Sequence, residues 1–162
     1  MPTRDGGSMA TSFDWKKYST ADKVIAITGL IALIALFLPW EGVSSGPFSA
    51  SVSGFSTSYG WLGALLIVAA GAYIFFSRAG SNMPKFSYGP GVIVLGLSAL
   101  GTLIVIIRWL TLPRASFDGG AYSYGPRVGI FLVLIAGIIQ AIFALRLFQA
   151  SGEAVPWANR NS

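Results

Sequence analysis

Four long runs of apolar residues, separated by shorter polar and glycine-rich segments, dominate the pattern of this chain. They cover about 22–40 (DKVIAITGLIALIALFLPW), 59–77, 90–110 and 128–148. A helix rises about 1.5 Å per residue, so about 20 residues cross a hydrocarbon core, and each run has roughly that length. The punctuation agrees. Ser19-Thr20-Ala21-Asp22 reads as a capping box ahead of the first run. Pro90 and Pro126 stand where the third and fourth helices should begin, because a first-turn residue needs no amide donor. Pro39 and Pro113 mark the opposite ends. Trp40, Tyr59, Trp61, Tyr88, Trp109 and Tyr124 cluster at span ends, as an aromatic belt requires. The pattern predicts an all-α membrane protein. A tail over 1–21 precedes a four-helix transmembrane bundle over 22–148, and a second tail covers 149–162. Lys16, Lys17 and Lys23 at the start of the first run give it the look of a secretory signal. No small-x-small cleavage site follows it, so it reads as a retained span.

The two halves resemble each other. Gly29-Leu-Ile-Ala-Leu33 is echoed by Gly96-Leu-Ser-Ala-Leu100, and Ser58-Tyr-Gly60 by Ser123-Tyr-Gly125. Gly63 and Gly71 recur as Gly129 and Gly137, and Arg78 answers Arg146. These offsets suggest one helical hairpin duplicated in parallel. Small residues four apart allow helix backbones to approach closely. The expected packing positions are Gly60, Gly63, Gly71, Gly129, Gly137 and Ala141, with Thr28 and Ala32 a further pair.

The segments between the runs are not equivalent. From Pro47 the first reads PFSASVSGFSTSYG, in which Phe48, Ala50 and Val52 alternate with serines. Period-two alternation predicts a half-buried strand, with Gly54 turning the chain back through Phe55 to Tyr59. The third intervening segment holds Asp118-Gly119-Gly120 between Phe117 and Ala121-Tyr122, a tight-turn signal. Four short strands from these two loops would pair into a small sheet over the helices. Isolated hairpins are marginal in water, so the strands would need each other or a partner.

Composition narrows the chemistry. The chain has 162 residues, 54% hydrophobic and 10% charged, against about 25% charged in a soluble domain. It contains no cysteine and no histidine. That excludes a disulfide framework, a thiolate nucleophile and the commonest general base and metal ligand. No catalytic or nucleotide-binding motif is present, and no cofactor or enzymatic activity is expected. Polar groups deep in the spans are Thr28, Ser98, Thr102 and Gln140. Only Gln140 is strongly polar, so it is the candidate polar site in the membrane, either as helix–helix glue or as part of a solute pathway.

The net charge of +5 is a topology signal and no sign of nucleic-acid binding. With both termini inside, Arg4, Lys16, Lys17, Lys23, Arg78, Lys85, Arg146 and Arg160 are cytoplasmic, and Arg108, Arg114 and Arg127 lie outside. This obeys the positive-inside rule. The three outer arginines flank one loop. They are simply tolerated there, or pair with Glu41 and Asp118 to pin the loops together, or meet an external partner. In the last case Arg108, Arg114, Phe117, Tyr122, Tyr124 and Arg127 form an outer interface, since aromatic and arginine side chains favour interface centres.

Ser19-Thr20-x-Asp22-Lys23, followed by Gly29 and ending Leu36-Phe37-Leu38-Pro39-Trp40, resembles small uncharacterised four-span membrane proteins of Actinobacteria. The resemblance implies a bacterial plasma-membrane protein and transfers no activity. Four spans beneath a stranded outer surface also look like the claudin layout. The cysteine pair and Trp-Gly-Leu-Trp signature of claudins are absent, so the likeness is one of shape alone. The expected function is a non-enzymatic structural or accessory subunit, in contact with membrane lipids and with a larger membrane protein or copies of itself. The alternative is a component of a small-solute or lipid transporter or channel.

Overall fold

The capping box forms at the start of the first long helix. Ser19 Oγ accepts the Asp22 amide at 3.1 Å, and Asp22 Oδ2 accepts the Ser19 amide at 3.1 Å. The structure, a computed structural model, describes residues 15–56, 59–79, 89–112, 114–117 and 122–151. Helix α1 runs Thr20–Phe37, α2 Gly60–Arg78, α3 Pro90–Thr111 and α4 Val128–Ser151. All four are long and apolar enough to cross a membrane. Helix α1 stops short of the expected Trp40 because Pro39 disfavours helical backbone at the residue before it. Leu38 is accordingly extended, at φ −81° and ψ 161°. Pro90 occupies the first turn of α3 as expected. Pro126 does not open α4; it is the last residue of a strand.

Helix α1 packs on α2 and α4, and α3 packs on the same two. The buried faces combine small and polar groups with aliphatic side chains such as Ile25, Leu36, Ile67, Ile74 and Ile130. Ala32, Ala35, Ala64, Ala70 and Ala144 are buried, as are Thr28, Ser98, Thr102 and Gln140. Further large apolar side chains point outward: Leu30, Ile34, Leu100, Leu103, Ile135 and Ile142 are exposed. So many exposed leucine and isoleucine side chains suit a lipid solvent better than water. Lipid tails are as apolar as leucine, so membrane helices are held by close backbone contact and hydrogen bonds instead.

Two glycine pairs supply that contact. A Cβ built on Gly29 would sit 2.8 Å from the Gly71 Cα, joining α1 to α2. A Cβ on Gly63 would sit 2.6 Å from the Gly101 carbonyl, joining α2 to α3. Gln140 of α4 reaches the first crossing, where its amide nitrogen donates to the Ile25 carbonyl at 2.9 Å and the Ile67 carbonyl at 3.1 Å. These carbonyls lie one helical turn before Gly29 and Gly71, so one side chain ties three helices.

Beyond α1 the chain enters strand β1 (Pro39–Ser45), turns, and returns as β2 (Phe48–Ser53). The turn is Gly46-Pro47, with Gly46 at φ 55°. Glycine at the first central position suits a two-residue hairpin. The hairpin expected to turn at Gly54 is therefore displaced. Gly54–Ser56 is a single 3-10 turn, and the partner of β2 precedes it in the chain. The long apolar run had concealed β1. Strands β3 (Ala115–Phe117) and β4 (Tyr122–Pro126) form a second hairpin, and the sheet order is β2-β1-β4-β3. The expected Asp118-Gly119-Gly120 turn and the Ser58 and Tyr88 landmarks fall outside the described residues.

The sheet stands on the helices by one end. Trp40, Glu41 and Gly42 are buried, whereas Val43 and most of β2 are exposed. Trp40 is no belt residue. It is fully buried, and its indole N–H donates to the Ala35 carbonyl at 2.7 Å. A Cβ on Gly54 would lie 2.6 Å from the indole, and one on Gly129 2.5 Å from it, so the ring is clasped between the 3-10 turn and α4.

Replacing Gly71 by leucine should force α1 and α2 apart. We expect a loss of about 1–3 kcal/mol in detergent, as for overpacking generally. Gly96→Ala is the control, since nothing lies within 4 Å of a Cβ there. Its thermal midpoint should match or exceed that of the native chain.

Candidate functional site

Glu41, Arg108, Arg114 and Arg127 lie toward the end of the helices that carries the sheet. Glu41, the third residue of β1, is brought over the end of α3 by the short passage from α1. Arg108 lies in the last turn of α3, where a cation also meets the negative end of the helix dipole. The Arg108 guanidinium donates to Glu41 Oε1, with the two side chains 12% and 6% exposed. The second carboxylate oxygen accepts the Tyr124 hydroxyl at 2.6 Å. Arg108 also lies over the Tyr59 ring at 5.9 Å, and Tyr59 bonds Thr111 through their hydroxyls at 2.9 Å. One carboxylate thus joins both hairpins to α3.

The hydrogen bond to Glu41 raises the Tyr124 pKa above 10.0, helped by burial and the carboxylate charge and opposed by Arg108. The neutral hydroxyl is the form that bonds.

Arg127 serves the same junction from the other side. Its amide donates to the Trp40 carbonyl at 2.8 Å and its guanidinium to Ser44 Oγ at 2.6 Å. The guanidinium lies across Gly42, in the place a side chain would fill. Arg114 is exposed, stacks over Trp109 at 5.1 Å and donates to the Trp109 carbonyl at 3.3 Å. Of these three arginines, Arg108 and Arg127 hold the protein's own groups and Arg114 stands at the surface. Glu41 is the internal partner, and Asp118 lies outside the described residues.

Pairing register divides the sheet into two unlike faces, because residues directly opposite share a face. Val43 pairs with Ala50 and Tyr124, Glu41 with Val52, and Ser45 with Phe48 and Tyr122. The other face carries Gly42, Ser44, Ser49, Ser51, Ser123 and Gly125. The alternation predicted a strand with its apolar side covered. Instead Phe48 is 78% exposed, and Val43, Val52 and Tyr122 are exposed beside it. Phe117 pairs with Tyr122, which places it at the register position adjoining this face. Among the described residues nothing covers these side chains.

The remaining expected positions lie among the helices. Gly60 is buried at the start of α2, and Gly63 and Gly71 make the crossings described above. Gly129 abuts Trp40, and a Cβ on Gly137 would lie 2.6 Å from Thr102 Oγ1. Ala141 is only half-buried, and Ala144 takes the buried position nearby. Gln140 is fully buried, and its Oε1 and the Ser98 hydroxyl have no hydrogen-bond partner. Gly29 and Gly101 were not singled out as packing residues, because in a glycine-rich chain only the facing helix reveals which glycines meet. Among the described residues no group of three His, Cys, Asp or Glu side chains could hold a metal ion.

The fold and this junction define a chain of four potential membrane-spanning helices with a stranded cap. No family model, curated protein or solved structure matches it.

Arg108→Met leaves Glu41 buried without its cation and should cost about 3–5 kcal/mol of stability. The Glu41→Gln, Arg108→Met double variant should lose less than the single one in the same denaturation experiment. Tyr124 adds a pH dependence. Because its pKa is raised on folding, its contribution is complete below 10.0 and lost as pH climbs through the raised value. The stability gap between native chain and Tyr124→Phe should therefore close in alkaline titration.

Proposed function

We propose that this chain is a multi-pass membrane protein, a four-helix bundle built from a duplicated hairpin, that acts as a non-enzymatic assembly or accessory subunit. The observation that carries this reading is the uncovered apolar face of the sheet. Val43, Phe48, Val52 and Tyr122 lie on one face, in register and exposed. Neighbouring β2 is an edge strand with no lysine or proline to discourage pairing, and the one register shift of the β1–β2 ladder lies at its far end, between Pro39 and Glu41. Aromatic side chains held on a rigid sheet suit an interface centre. The surface would engage a larger membrane protein or further copies of the chain.

The positive-inside bias supports a cap outside and both termini inside. The likeness of the first span to small actinobacterial four-span proteins favours a bacterial plasma membrane as host. A second reading, a component of a solute or lipid pathway, draws on one observation: the unpartnered Gln140 Oε1 and Ser98 hydroxyl in the interior. It requires solute flux in liposomes that Gln140→Leu abolishes.

Two experiments test the main reading. A cysteine at position 45 should react with an impermeant thiol reagent on intact cells, and one at position 151 should not; the reverse result inverts the topology. Phe48→Ser with Val52→Ser should abolish co-purification of a partner or oligomer in mild detergent. The thermal midpoint should stay close to native, because both side chains are exposed. Association that survives the double change overturns the sheet as an interface.

A further inference from the structure

Among the described residues the sheet has two free edges, β2 and β3. Strand β3 has three residues, whereas β2 has six and is exposed from Phe48 to Val52. An unpaired edge carries backbone donors and acceptors that act as a template for another strand. The hairpin decides which residues carry them. In a two-residue turn the flanking pair, here Ser45 and Phe48, exchanges both ladder hydrogen bonds. Such pairs alternate along antiparallel strands. Phe48, Ala50 and Val52 therefore aim their N–H and C=O groups at β1. The Ala50 carbonyl oxygen agrees, since it would lie 2.9 Å from a Cβ on Gly42 of β1. Ser49 and Ser51 aim theirs outward, where no described strand meets them.

This strand is complementary to itself. An antiparallel partner must set outward-bonding residues opposite one another, which also keeps each side chain opposite one of its own face. With Ala50 opposite Ala50 of a second copy, both conditions hold. Ser49 then exchanges backbone hydrogen bonds with Ser51, and Phe48 stands opposite Val52, each pair occurring twice. Shifting the centre to Ser51 leaves Phe48 unopposed. Aromatic against β-branched is a favourable cross-strand pair, and these two side chains are bare, at 78% and 44% exposure. None of the six residues is charged, so the strand meets its own copy without like-charge repulsion.

We propose that β2 pairs antiparallel with β2 of a second copy about a twofold axis at Ala50, joining the two sheets edge to edge. This rests on the reading of the sheet as an interface and commits that interface to a copy of this chain. Strand β1 leaves α1 and β4 runs into α4, so the sheet is rooted on the helices. Antiparallel pairing therefore sets the two groups of helices at opposite ends of the joined sheet. The copies meet head to head, as from two facing membranes.

The test uses the purified full chain, which has no native cysteine to interfere. Directly opposed Cβ atoms lie about 4.5–5.5 Å apart and diagonal ones about 7–8 Å, and a disulfide needs the shorter spacing. Ala50→Cys should therefore oxidise to a covalent dimer, and Ser49→Cys, diagonal to its own copy, should not. Two vesicle populations carrying differently tagged Ala50→Cys should yield a dimer that holds both tags. Ser51→Pro removes an outward N–H and leaves the bonds to β1 and the apolar face in place, as proline on an edge strand allows. It should abolish the dimer with a thermal midpoint close to native. If that midpoint falls, the comparison of Ala50→Cys with Ser49→Cys decides alone. Association that survives Ser51→Pro but not Phe48→Ser with Val52→Ser overturns edge pairing and leaves the sheet face as the interface. Association that survives both overturns both readings. A chain that stays monomeric, equal cross-linking at positions 49 and 50, or a different protein held at the edge overturns self-pairing.

Discussion

Helices whose outer faces are leucine and isoleucine gain nothing from hiding those faces against one another in a lipid solvent, so their association must come from contact between backbones. The Gly29–Gly71 crossing provides it for α1 and α2. Gln140 then places its amide on the carbonyls of Ile25 and Ile67, the two that flank the crossing. Only because the helices meet this closely can one short side chain reach both. Close approach and the three-helix tie are one arrangement, and the positions of α3 and the sheet follow from it.

Trp40 and Glu41 carry that arrangement upward. The indole fills the space left by two glycines from different elements, and its carbonyl accepts the Arg127 amide at the root of α4. One residue on, Glu41 gathers Arg108 and Tyr124. Each partner comes from a different segment, so the sheet is fixed to the helices by a charged contact on one face and by the Arg127–Ser44 bond on the other. A buried ion pair is weak evidence for stability, since desolvation offsets attraction. It is stronger evidence for orientation: a buried arginine has few acceptors to choose from, and a misplaced sheet would leave it none.

The two ends of the molecule then differ in kind. At the sheet end Glu41 and Arg108 neutralise each other, and the apolar face of the sheet is exposed. Apolar contact suits a protein surface. At the other end cations surround a cavity, and a buried carboxylate oxygen has no partner.

The four helices could be read directly from the chain, because length and unbroken apolarity are local properties and a lipid solvent demands little else. The capping box at Ser19 and the first-turn Pro90 were legible for the same reason. The strands were only partly so. The alternation of Phe48, Ala50 and Val52 showed through, but β1 lay hidden at the end of an apolar run, so the partner of β2 precedes it and does not follow Gly54. Strand pairing is a relation between distant segments, and a hairpin signal such as Gly46-Pro47 gains meaning only once both strands are known. Glu41 and an outer arginine were recognisable as partners by charge, yet nothing local could select Arg108. Which glycines touch, why Trp40 is buried and why Phe48 is bare were all decided by the tertiary structure. Each depends on what another part of the chain places opposite, and neither propensity nor periodicity contains that information.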